Sequence, residues 1–154
     1  MDLNHYGEIN KKARRISVIN AIFAGLLITL FTCGNALAQQ ERDWDAVELT
    51  INHVAGGVYY LEGAGGNIGL SVGEDGIVMI DDQFAPLTDR IVSRIAELDD
   101  GEIRFVINTH RHGDHAGGNE NLANMGITIL ANDRVRVRLA ADMLPKAALP
   151  ILTY

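Results

Sequence analysis

Between residues 47 and 80, four short apolar stretches are separated by glycine-bearing turns. This pattern limits the chain to folds that begin with a small antiparallel sheet. Residues 47–54 (VELTINHV) alternate apolar and polar side chains, the period of a half-buried strand. Residues 58–61, 68–72 and 77–80 give three more strands. The last two are joined by Gly73, Glu74, Asp75 and Gly76, a typical turn composition. Eight of the 16 glycines fall between 56 and 76, where strands meet in tight turns.

The period then changes. Leu87, Ile91, Ile95 and Leu98 recur at helical spacing, with Pro86 near the first turn and Gly101 past the end. Residues 104–108 (RFVIN) read as a short apolar strand, 119–125 as a short helix stopped by Gly126, and 127–130 as another strand. Asn132 or Asp133 can cap a helix running to about Met143, and Pro145 and Pro150 interrupt regular structure beyond it. Strands followed by helix–strand–helix–strand–helix predict an α/β (α+β) domain, a sheet with helices on one face. Its other face finds no cover within this chain. A length of 154 residues fits one domain.

The first 38 residues read as an address. Lys11, Lys12, Arg14 and Arg15 precede the apolar run 18–32, and Ala36, Leu37 and Ala38 offer a small-x-small cleavage site before Gln39. Fifteen residues span about 22 Å as a helix, short of the roughly 30 Å hydrocarbon core, so a cleaved signal is favoured over a membrane anchor. Arg14-Arg15 also raises twin-arginine export, which Ile16-Ser17-Val18 fits only in part, and Cys33 raises a lipoprotein site that Phe31 and Thr32 suit poorly. The expectation is a signal peptide over 1–38, a domain over 39–154, a periplasmic or secreted location and no stable membrane association. Cleavage after Ala38 removes Cys33, the one cysteine, as an oxidising compartment allows.

Charge narrows the partners. The chain carries −7 overall, and after residue 38 there are 18 acidic against nine basic residues. Such a surface repels phosphate backbones, so a small molecule is expected as partner and nucleic acid is not.

The chemistry is concentrated in Thr109-His110-Arg111-His112-Gly113-Asp114-His115-Ala116-Gly117-Gly118. With five His and 12 Asp in 154 residues, H-x-H-x-D-H arises by chance in roughly 4 of 10,000 such sequences. In extended backbone His110 and His112 point to one side and can offer two imidazoles to one metal ion. Gly113 is expected to permit a sharp turn, after which Asp114 and His115 present an oxygen and a nitrogen nearby. Imidazole and carboxylate ligands suit zinc, with iron or manganese as options.

His110-x-His112-x-Asp114-His115 resembles the signature of the metallo-β-lactamase superfamily, and Gly117-Gly118-Asn119 matches its usual continuation. The stretch from Asn67 to Asp81 resembles the early strands of that family, which end in an aspartate. The resemblance implies an αββα sandwich of two similar halves, of which this chain corresponds to the first and ends before the site is complete. It implies one or two zinc ions, with His110 and His112 on the first and Asp114 and His115 on the second. No histidine follows His115 to supply the family's later ligands. It further implies a hydrolase in which metal-bound hydroxide, held by Asp114, attacks the carbonyl of a lactam, thioester or ester. Residues 63–66 correspond to a mobile loop beside the site. A non-catalytic metal-binding fragment and a mononuclear-iron sulfur dioxygenase of the same fold are the alternatives. His112 separates the sequence from the diiron oxygen-reducing branch, which commonly carries Glu there.

Other residues carry weaker signals. Asp81 is expected to hydrogen-bond a metal ligand from behind. His53, in an alternating strand, reads as half-exposed, and Arg134, Arg136 and Arg138 as a solvated face. Arg111 is expected to pair with an acid. Two chains could also associate through the uncovered sheet face.

Overall fold

A computed structural model describes residues 42–154. The expected signal peptide and Cys33 lie outside the described residues. The unit Asp43–Tyr154 is built on seven strands in sequential order. They are β1 (Thr50–Ala55), β2 (Val58–Glu62), β3 (Ile68–Gly73), β4 (Gly76–Ile80), β5 (Ile103–Asn108), β6 (Thr128–Ala131) and β7 (Leu152–Thr153). The first four pair antiparallel, through tight turns except for the loop between β2 and β3, and β4 to β7 pair parallel.

Parallel pairing needs crossovers. They are supplied by α1 (Thr88–Leu98), by α2 (Gly113–Ala116) with α3 (Asn119–Asn124), and by α4 (Asp133–Ala141). Right-handed crossovers that all step the same way along a sheet lay their helices on the same face. The core sits between that face and the helices. Leu61, Ile68, Leu70, Met79, Val106 and Ile129 point inward from the strands against Leu87, Ile91, Ile95 and Leu122. The register explains it: Leu70 faces Met79, Met79 faces Val106, and Val106 faces Ile129, so period-two alternation aligns the apolar set. Among the described residues no helix is long and apolar enough to cross a membrane.

Several expected boundaries shift. β1 begins at Thr50 rather than Val47. The Arg90 guanidinium donates to the carbonyls of Trp44 and Val47, 2.6 Å each, which takes this segment away from the sheet. α4 ends at Ala141, and Met143 takes a left-handed backbone (φ 58°) that cannot continue a helix. Its start is as expected, since Asn132 Oδ1 accepts from the Arg134 amide. Arg134 and Arg138 are exposed, but Arg136 is half-buried and donates to the Pro150 carbonyl. His53 is exposed rather than half-exposed, and its Nε2 donates to the Gly56 carbonyl at 2.9 Å.

Candidate metal centre

The parallel pairing of β4 and β5 brings the ends of both strands to one edge of the sheet, where α/β folds commonly place their sites. Asp81 follows β4 and Thr109 follows β5. Three bonds join the two strand ends. The Asp81 amide donates to the Ile107 carbonyl (3.0 Å), the Thr109 amide donates to Asp81 Oδ1 (2.7 Å), and the Thr109 hydroxyl donates to Asp81 Oδ2 (2.7 Å). Asp81 is buried and left-handed (φ 66°), a conformation Asp tolerates because its short side chain bonds locally.

From this anchor the histidines are set. His115 Nδ1 donates to Asp81 Oδ2 at 2.7 Å, which leaves Nε2 as the ring nitrogen turned toward Asp114. His110 Nδ1 lies 3.1 Å from the Thr109 hydroxyl oxygen. With the Thr109 proton committed to Asp81, this nitrogen donates as well, and His110 also presents Nε2. One buried carboxylate thus fixes two imidazoles, directly and through a hydroxyl. Asp81, His110 and His115 form one group whose nitrogen and oxygen atoms lie within 4.8 Å of one another, and His110, His112 and Asp114 form another. Both Asp81 oxygens are engaged with Thr109 and His115, which makes its carboxylate an orienting group behind the imidazoles.

The four motif side chains converge. The ring centroids of His110 and His115 are 4.0 Å apart, those of His110 and His112 4.8 Å, and Asp114 Oδ2 is 3.3 Å from His115 Nε2. Residues 110–112 form a bend after β5 rather than the extended segment expected. Gly113 starts α2 without a left-handed backbone, and a Cβ there would meet only Phe84 at 4.0 Å. The expected need for glycine at the turn is therefore corrected. The requirement sits at Gly117, where a Cβ would come within 2.3 Å of the Gly113 carbonyl and 2.8 Å of the Gln83 carbonyl. Arg111 pairs with Asp142 at 2.7 Å, both side chains partly exposed.

Behind the motif lies a buried polar network that the sequence pattern does not announce. Asp82 accepts from the Gly118 amide (2.9 Å) and from Asn108 Nδ2 (3.3 Å), and its own amide donates to the His115 carbonyl (3.0 Å). Asn119 Nδ2 donates to Asn108 Oδ1 and to the Ala148 carbonyl, 2.9 Å each. Burial pushes the Asp82 carboxyl up to about 7, against the lowering effect of the bonds from Gly118 and Asn108. A signal was present: Asn108 follows Val106 on the inward register of β5, and a polar side chain there must find partners.

The donor set fits a divalent metal. Three imidazoles and a carboxylate converge, two of the rings are oriented by outer hydrogen bonds, and His112 and Asp114 remain accessible from solvent. The family model described as metallo-beta-lactamase superfamily matches residues 61–131. That stretch is just under half of the 154 residues, and over it the chain is similar to the superfamily. The match runs from β2 to β6 and includes Asp81, His110, His112, Asp114 and His115.

No curated protein matches the sequence. Among solved structures, the DIM-1 metallo-beta-lactamase is similar with a TM-score of 0.61 and 16% identity, over 70% of this chain and 52% of that one. The metallo-beta-lactamase from Hirschia baltica gives 0.61 and 20%, over 69% and 52%. The one from Pontibacter korlensis gives 0.59 and 17%, over 70% and 53%. At these identities the likeness is one of fold, and the matched part of this chain spans about half the length of each relative. The described residues correspond to one sheet and one helix layer of the αββα arrangement.

Proposed function

We propose that the chain contributes the metal-binding loop of a zinc-dependent hydrolase, with His110, His112, Asp114 and His115 as ligands. The substrate class is a small molecule with an activated carbonyl: a lactam, thioester or ester. The observation that carries this reading is the orientation of two imidazoles by one buried carboxylate, His115 directly and His110 through Thr109. A solvated polar loop has no use for such anchoring, and a metal site depends on it.

When bound, zinc supplies Lewis acidity at neutral pH. The residues do the rest. Asp81 holds both rings with Nε2 outward, and Asp114, with its side chain 38% exposed, can accept a hydrogen bond from an attacking water and orient it. The same proposal has residues 1–38 directing export, with cleavage after Ala38. N-terminal sequencing of protein from a periplasmic extract then begins at Gln39.

Titration with cobalt(II) as a spectroscopic stand-in for zinc tests the site. The visible bands of a nitrogen- and oxygen-ligated ion are expected in the wild-type chain and are lost in a His110→Ala, His112→Ala double variant. Undiminished metal uptake by that variant overturns the reading. Chromogenic lactam, thioester and ester substrates then address hydrolysis, and oxygen consumption by iron-loaded protein addresses the dioxygenase alternative.

A further inference from the structure

Gln83 plays no part in the metal chemistry above, yet it is fully buried and holds a left-handed backbone (φ 57°) that glutamine rarely adopts. Its side chain accounts for this. Gln83 Oε1 accepts from the Ala64 amide at 3.1 Å, and Nε2 donates to the Gly66 carbonyl at 2.6 Å. One side-chain amide therefore closes the 63–66 loop much as a strand partner would, with one donor and one acceptor. The Gln83 carbonyl also accepts from the Gly118 amide at 3.1 Å, which ties the same residue to the segment after the metal loop.

The clamped loop lies directly on two of the proposed ligands. A Cβ built on Gly65 would come within 2.7 Å of the Asp114 Cβ, and one on Gly66 within 2.5 Å of His115 Cε1 and 2.8 Å of its Nε2. Neither glycine has a left-handed backbone. Their lack of a side chain serves close approach, not a turn. Two hydrogen bonds from one buried side chain thus hold the loop against the site.

We infer that Gln83 is a positioning residue: by clamping the glycine loop it fixes the wall against which Asp114 and His115 are set. The metal arm of the test rests on the proposed centre, and the other arms do not. In metal-free protein, Gln83→Met keeps the volume and removes both bonds. Amide exchange at Ala64 should then accelerate about tenfold or more while Leu70 and Val106 in the core keep their protection. The His115 Cε1–H resonance should shift, with that of remote His53 unchanged. Gln83→Glu, which keeps the acceptor for Ala64, should restore most of the Ala64 protection. Unchanged Ala64 exchange and an unchanged His115 resonance in Gln83→Met overturn the clamp. In the metal arm, cobalt(II) affinity should fall about tenfold in Gln83→Met, the scale of losing an outer support. Equal affinity in both proteins rejects positioning of the ligands. A wild-type chain that binds no metal rejects the metal reading, and exchange and resonance still decide the clamp and its hold on His115.

Discussion

Two adjacent aspartates at the end of β4 do opposite things. Asp81 turns both oxygens toward Thr109 and His115. Asp81→Asn keeps an acceptor and tolerates the left-handed backbone, but it puts an amide hydrogen where His115 Nδ1 must donate. The fold should persist by circular dichroism, while metal affinity measured against a chromophoric chelator should fall about 10- to 100-fold. Asp82 faces inward and is lifted by burial from 3.8 to about 7. Between those values the folded chain keeps a proton that the unfolded chain has released. Stability is then full below the unfolded value and is lost as pH rises through the folded one. The loss is on the order of a few kcal/mol. Asp82→Asn retains an acceptor for the Gly118 amide and removes the ionisation. In urea melts of metal-free protein, the wild-type midpoint should fall between about pH 4 and pH 7 and level off above, and the variant midpoint should stay nearly level over that range. Parallel pH profiles would show that Asp82 is not the group responsible.

The elements divide into those a periodic pattern announces and those that depend on distant partners. β2 to β6 and α1 were legible because alternation and helical spacing record which face meets the core. Ile95, 1% exposed in the middle of α1, is a direct test of that face. Ile95→Ala should lower unfolding free energy by about 2–5 kcal/mol. The start of β1 was illegible because its competitor, Arg90, lies more than forty residues away. The same limit applied at the site. The spacing of His110, His112, Asp114 and His115 identified the cluster, since those residues are neighbours in the chain. Thr109, Asn108, Asn119 and Gln83 gained roles only when parallel pairing and loop closure set them against Asp81, Asp82 and the 63–66 loop. The Arg111–Asp142 pair joins the 110–115 segment to the end of α4, but it is partly exposed. Arg111→Ala should cost at most about 1 kcal/mol and should lose even that effect in high salt, measured by thermal melts at two ionic strengths.

At the scale of the molecule, the sheet has one face more than the described helices cover. The register that sends Met79, Val106 and Ile129 inward sends Val78, Ile80, Phe105, Ile107, Leu130 and Leu152 to the other side. Ile80 faces Ile107, Ile107 faces Leu130 and Leu130 faces Leu152, so the stripe is continuous across four strands. Phe105 is 36% and Leu152 48% exposed. A contiguous apolar patch of this kind drives association, whereas scattered apolar residues do not. The net charge of −7 opposes contact between copies at long range, and salt screens it. Self-association through this face should therefore strengthen as salt is added, the reverse of what an ion-paired interface does. Sedimentation velocity of the 154-residue chain should show concentration-dependent dimers or larger species that grow with salt. Phe105→Asp, which places a charge in the middle of the stripe while the inward register stays intact, should return the protein to a monomer with its metal affinity unchanged. A wild-type chain that sediments as a monomer at all salt concentrations overturns self-association through this face.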